Sequence, residues 1–324
     1  MRTLSERRVR AVLILCPEPK TMSEPRYLPL VDTHAHVNLD DFAPDLSDLI
    51  NRSREGRFPP IKGRQIDDPV LRPFVAGIVC PAVDLETSLR GIELSKEYDF
   101  IFAAVGFHPN HTALMQPGDW DACERLVLER DATANNIVAL GETGLDRYWD
   151  DAPFDLQRKI FLQTLDLGLR AELPVIVHSR DANDDLMAAL REFYAGARPN
   201  AARGVIHSFS GTLDQAEELV EMGFYLGFGG FVTYTSKKFA ELWDVARRVR
   251  ADRILLETDC PFLTPHPLRG KLERNEPLTT AFVARRLAEL RDASVAEIVG
   301  QTTANARRLF RLPELRQKPD ETEL

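Results

Sequence analysis

The chain has 324 residues, of which 44% are hydrophobic and 28% charged, and a formal net charge of −9 at pH 7. That length suits a single α/β barrel of roughly 250 residues with extensions, and the apolar share gives it a full core. The acidic balance excludes a broad, sequence-independent grip on duplex nucleic acid, which needs extended positive surface. It leaves room for an enzyme that takes one strand end or one phosphodiester into a locally positive pocket.

Residues 1–29 read as a flexible N-terminal extension. Arg7, Arg8 and Arg10 precede the apolar stretch 11–16, which Pro17 ends. Such a short run cannot form a secretory core or span a bilayer. Leu15 before Cys16 also lacks the small residue of a lipid-attachment site. Met22 is the expected start, since enzyme-like sequence begins at Leu30. Cys16, Cys80, Cys123 and Cys260 show no CxxC spacing, so free thiols in a cytoplasmic protein are expected.

From Leu30 onward, short β-rich runs alternate with amphipathic stretches. The runs are 30–34, 74–81, 100–108, 136–143, 173–179, 203–210, 224–230 and 253–259. Near-continuous apolar runs are what parallel strands covered on both faces require. Helical patterns fall at 156–171 and 213–223, with Thr212 or Asp214 as N-cap and Gly223 as C-cap. Neither GxGxxG after a first strand nor a Walker loop is present. The reading is a TIM (β/α)8 barrel of the metal-dependent hydrolase type over 30–311. Residues 52–73 are expected to be an inserted surface loop, and 312–324 a frayed, charged tail.

Six potential ligands fall at the ends of these runs: His34, His36, Glu142, His178, His207 and Asp259. Parallel strands deliver such residues to one rim of a barrel. His34 and His36 are two apart, so in extended geometry both imidazoles reach one ion. Glu142 has two oxygens and is read as a bridge between two ions. With it, His178 and His207 complete a second site. Asp259 is a ligand that orients the attacking water, or the general base alone. Catalysis is therefore assigned to Asp259 and Glu142. Glu257 is read as structural and turned away from Asp259, and Asp146 as a loop-ordering residue. His108 in GFHPN is expected to contact substrate, His111 and His266 to be loop residues. Arg180 is a candidate for a substrate phosphate, against a salt bridge to Asp181 or Asp184. The GFGG turn (227–230) either binds phosphate through backbone N–H groups or packs closely. Tyr148 and Trp149 either stack on a base or cover their own loop.

The motifs VDTHAHV, GFHP, LGETGLD, PVIVHSRDANDD, HSFSG, LLETDCPFLTP and RNEP (274–277) resemble, in order, those of the TatD family of metal-dependent deoxyribonucleases. The resemblance covers about residues 30–310. It implies a TIM barrel, a divalent metal centre, and phosphodiester hydrolysis on DNA, often from 3′ ends. Its metal positions fall on His34, His36, Glu142, His178, His207 and Asp259, with none replaced. The departures are the N-terminal extension, the 52–73 loop, and extra residues between Arg269–Gly270 and Arg274–Asn275. The expectation is thus a two-metal 3′–5′ exodeoxyribonuclease acting on single-stranded or end-bound DNA, without membrane or obligate protein partner. Positive charge would come from the metals, Arg180, Arg269, Lys271 and Arg274. The nitrogen and oxygen ligand set suits Zn, Mn, Co or Fe, with Mg usable if exchangeable. Two rivals are a barrel amidohydrolase acting on an amide, ester or lactone, and a non-enzymatic interaction protein that kept the fold. Many such amidohydrolases bridge their metals with a modified lysine, where Glu142 stands here.

Overall fold

The apolar runs become strands, and their period-two alternation splits the core in two. The computed structural model describes residues 26–59, 61, 71–130, 136–195 and 203–318. Its strands are β1 (Arg26–Asp32), β2 (Leu71–Cys80), β3 (Ile101–Val105), β4 (Ile137–Asp146), β5 (Val175–Arg180), β6 (Gly204–Ile206), β7 (Phe224–Phe228) and β8 (Ile254–Leu256). They form one sheet in sequence order, and each neighbouring pair is parallel. Backbone bonds close the seam. Thr33 N–H donates to the Leu256 carbonyl at 2.9 Å, and Asp259 N–H to the His34 carbonyl at 2.8 Å. A parallel bridge joins Ala35 to Cys260.

The helices are α1 (Leu46–Glu55), α2 (Leu85–Glu97), α3 (Asp119–Leu128), α4 (Phe154–Ala171), α5 (Asn183–Phe193), α6 (Leu213–Met222), α7 (Ala240–Arg248), α8 (Thr280–Arg291) and α9 (Val295–Phe310). Ile78, Ile101, Val175, Leu226 and Ile254 pack with the helices in one buried cluster. One step along each strand, Val79, Phe102, Ile176, Tyr225 and Leu255 fill the barrel interior. This is the alternation that a sheet wrapped by helices imposes. Leu309 and Phe310 of α9 join the interior cluster and close the barrel floor. The opposite end, where the strands finish, is left to the polar residues.

Local signals explain the helix ends. The Thr212 side chain accepts from Gln215 N–H while Gln215 accepts from Thr212 N–H, a reciprocal cap on α6. Gly223 ends that helix at φ 102°, a conformation costly for residues with a Cβ. Asp214 lies in the first turn instead of capping.

Some boundaries differ from expectation. β1 begins at Arg26, ahead of Leu30, because its residues pair with β2 from Leu71 onward. The 52–73 stretch supplies the last turn of α1 and the start of β2. Residues 60 and 62–70 lie outside the described residues, as do 1–25 with the Met22 start. The expected frayed tail starts in the core: Leu312 and Leu315 are buried in the floor cluster. Two apolar side chains within reach of the barrel floor outweigh the charged composition around them.

Candidate metal centre

The site forms where strand ends bring nitrogen and carboxylate donors onto one rim. His34 and His36 follow β1, and the seam bonds fix them beside Asp259. Their Nε2 atoms are 3.1 Å apart. Glu142 Oε2 lies 3.2 Å from His34 Nε2 and 3.5 Å from His36 Nε2. Asp259 Oδ1 lies 3.6 and 3.5 Å from the same two atoms. Tetrahedral ligands about 2.0–2.1 Å from a zinc-like ion stand about 3.3 Å from one another. His34, His36 and Asp259 therefore fit a divalent cation, with Glu142 Oε2 beside the two imidazoles.

The other oxygen of Glu142 faces a second group. Its Oε1 lies 2.9 Å from His178 Nδ1, 3.6 Å from His207 Nε2 and 3.8 Å from His108 Nε2. All six expected ligands thus converge, together with His108, in three overlapping groups, and the two oxygens of Glu142 face two imidazole nests. His108 comes nearer than a substrate contact requires: it is almost as close to Glu142 as His207 is. Its Nδ1 accepts from Asn110 N–H at 3.2 Å, which leaves Nε2 facing the nest. His111 turns aside to Asp84, 3.3 Å away.

Outer groups hold these donors in place. Asp146 accepts from Tyr148 and Trp149 N–H with Oδ1, as a loop-ordering residue does. Its Oδ2 lies 3.0 Å from His178 Nε2, so it also positions an imidazole. Glu257 was expected to turn away from the rim, and it does not. It shares parity with Leu255, which faces the interior, and Oε1 comes 3.3 Å from His207 Nδ1. A Cβ on Gly227 would lie 2.2 Å from Glu257 Oε2, so only glycine leaves room for this carboxylate. Asp32 is buried and accepts from His34 N–H, Thr258 N–H and the Thr258 hydroxyl, clamping β1 to the Asp259 loop. Asp259 itself takes φ 57° and Ser208, beside His207, φ 46°. Strained backbone of this kind collects at functional sites.

The electrostatics match a site built for cations. Burial alone would lower the His36 imidazole, but the Asp259 and Glu142 carboxylates hold it at about 9. Burial is likewise outweighed at His207, which Glu257, Glu142 and Asp259 raise to about 10. Burial opposes the charge on Glu142, yet His207, His34 and His108 draw it well below the usual carboxylate range. Burial and His178 push His108 down to about 3. Ligating nitrogens must be bare, so a metal held by His36 and His207 would have to displace their protons. Metal uptake at pH 7 is therefore expected to release protons, and affinity to rise with pH through the neutral range. Calorimetry of Zn²⁺ binding to chelator-stripped protein, in buffers of different ionisation enthalpy, measures this. Uptake without proton release would contradict it.

Residues 31–311 match the family model described as TatD related DNase. The chain belongs to this family. The uncharacterized metal-dependent hydrolase YabD of Bacillus subtilis is 39% identical over 87% of this chain and 99% of its own. The 3′-5′ ssDNA/RNA exonuclease TatD of Erwinia tasmaniensis is 28% identical over 87% of this chain and 100% of its own. Among solved structures, the TatD homologue YjjV of Escherichia coli superposes with a TM-score of 0.74 at 31% identity, covering 88% of this chain and 98% of that one. The protein is thus a TatD-family metal-dependent hydrolase of the ester-cleaving kind on a TIM barrel, and its His, Glu and Asp clusters suit divalent metal.

The rest of the mouth sorts the remaining expectations for this TatD relative. Arg180 makes no ion pair among the described residues. Its guanidinium lies 3.8 Å over the Tyr148 ring, and Asp184 accepts from Gln215 instead. Arg274 is not a free mouth cation: it binds the Asp45 carboxylate and donates to the Asp41 carbonyl at 2.6 Å. The neighbouring Asn275 donates to the carbonyls of Thr258 and Phe262, bracing both sides of Asp259. The RNEP motif is therefore a support for the Asp259 loop. Close packing accounts for the GFGG turn, since a Cβ on Gly230 would meet the Leu263 carbonyl at 1.8 Å. Cys80, Cys123 and Cys260 are free and buried. No helix among the described residues is long and apolar enough to cross a membrane.

Proposed function

We propose that this hydrolase is a 3′–5′ exodeoxyribonuclease that cleaves phosphodiesters with two divalent ions. The supporting observation is the division of Glu142, with Oε2 facing His34 and His36 and Oε1 facing His178 and His207. One ion would be held by His34, His36, Asp259 and Glu142, the other by His178, His207 and Glu142. Bound there, the ions would supply positive charge that makes water nucleophilic near neutral pH and stabilises the phosphoryl oxygens. The donor set favours Zn, Mn, Co or Fe over Mg.

The chain's own groups do the rest. Asp259 is the most open donor of the first nest, with its side chain 15% exposed, and it accepts the proton of the attacking water. The water oxygen bonds to phosphorus as the bond from phosphorus to the leaving sugar oxygen breaks; the electron pair of that bond stays on the leaving oxygen, which takes up the proton that Asp259 received. His108, whose Nε2 lies 3.8 Å from Glu142 Oε1, would reach the substrate from within the second nest. Arg180, free of carboxylates, pairs with a non-bridging phosphate oxygen, for which a guanidinium is well shaped. A carboxylate at the bridging position separates this reading from the amidohydrolase one. The name of the Erwinia relative supports single-stranded nucleic acid as substrate and cleavage from the 3′ end. The free, buried thiols fit a cytoplasmic enzyme.

Arg180→Ala is expected to keep its metal and lose roughly ten- to a hundred-fold in kcat/KM on oligonucleotides, the scale of a lost charge-assisted contact. An unchanged kcat/KM would return Arg180 to the surface of the barrel. Polarity is tested with a 5′-labelled single strand and a circular single strand. A ladder of shortened labelled products and an intact circle are expected. Cleavage of the circle would contradict the exonuclease reading.

A further inference from the structure

Exposed aromatic rings beside a candidate site offer flat faces on which the bases of a nucleic acid can stack. Among the described residues, three aromatic side chains are exposed: Tyr148 (52%), Trp149 (50%) and Phe262 (54%). All three flank the metal nests. The Phe262 ring stands edge-on to His36 at 6.5 Å, and its N–H donates to the Asp259 carbonyl at 2.8 Å. On the other side, Tyr148 and Trp149 meet edge to face at 4.8 Å, beneath the Arg180 guanidinium. Asp146 joins this pair to the site. One of its oxygens holds the two backbone N–H groups, at 2.8 and 3.0 Å, and the other holds His178. Rings serving only to seal their own loop would be buried, and these are half exposed.

We infer that Tyr148–Trp149 and Phe262 are stacking surfaces for the two nucleobases on either side of the scissile phosphate, with Arg180 on the phosphate itself. Charge supports the division of labour. Arg180 attracts a phosphate, while the exposed Asp150 and Asp151 after Trp149 repel one, so the outer aromatic surface suits an uncharged flat ring. A base inside a duplex has both faces covered by its neighbours, so such surfaces select unpaired nucleotides. The inference rests on the nuclease reading and adds which groups recognise the bases and why the strand must be single.

The test compares wild type, a Tyr148→Ala/Trp149→Ala double variant and Phe262→Ala. Substrates are single-stranded oligonucleotides with an intact or abasic residue at the last or the penultimate position. Wild type is expected to prefer an intact base at each position by roughly ten- to a hundred-fold in kcat/KM, the scale of base–aromatic stacking. The double variant loses the preference at one position and Phe262→Ala at the other. Tyr148→Phe/Trp149→Phe retains both, and metal content confirms that each variant is folded. Cleavage with undiminished preferences in the alanine variants would overturn the stacking alone. No cleavage of any oligonucleotide by wild type would remove the nuclease reading and the stacking with it.

Discussion

Glu142→Ala is expected to abolish hydrolysis and to lower the metal content of both nests. The reason is that its two oxygens serve separate groups of imidazoles, at 2.9 to 3.8 Å, so no other residue can replace either contact. The loss should be at least about 10³-fold in kcat, the upper range for removing one electrostatic element of a transition state. Metal analysis of the variant beside its rate checks the explanation as well as the effect. Normal stoichiometry with a normal rate would show that Glu142 bridges nothing.

Asp259→Asn should be nearly as damaging and for a different reason. The amide keeps the shape and one oxygen but cannot accept the proton of attacking water. Positioned proton transfer is worth roughly 10²–10⁴-fold, so kcat should fall by that amount while KM changes little. The backbone at φ 57° tolerates Asn as well as Asp, so the fold should survive. Steady-state kinetics on a defined oligonucleotide, with metal content measured in parallel, separates the two possible roles. Lost metal together with lost rate marks Asp259 as a ligand first. Retained metal with lost rate marks it as the base, and retained rate would deny it both roles.

The convergence of the six donors was legible because each rides at the end of an apolar run, and the strand period decides the rim. His34, His36, Glu142, His178, His207 and Asp259 could be placed by that reasoning, and TatD-like motifs in order reinforced it. The barrel followed from the same alternation. The supports were harder to read, since they act between elements remote in sequence. Arg274 meets Asp45 across 229 positions and Asn275 meets Thr258 across a turn, so neither has a local signal. Glu257 could have been placed correctly, for it lies two residues before Asp259 and so shares its parity. Gly227 gives no hint of its purpose until the Glu257 carboxylate is seen beside it. The double duty of Asp146 likewise appears only when β4 and β5 pair and bring His178 opposite Gly144. Composition misjudged the start of the tail, where two leucines in 312–315 suffice to anchor a charged segment.

The proposed reaction at this rim is DNA hydrolysis that needs two ions, both of which Glu142 would help to hold. It is tested most directly by titrating chelator-stripped protein with Zn²⁺ or Mn²⁺ while following cleavage of an end-labelled single strand. Turnover is expected to appear only as the second equivalent binds, and Glu142→Ala to show none at any loading. Full turnover at one equivalent per chain, or none with two bound, would contradict it.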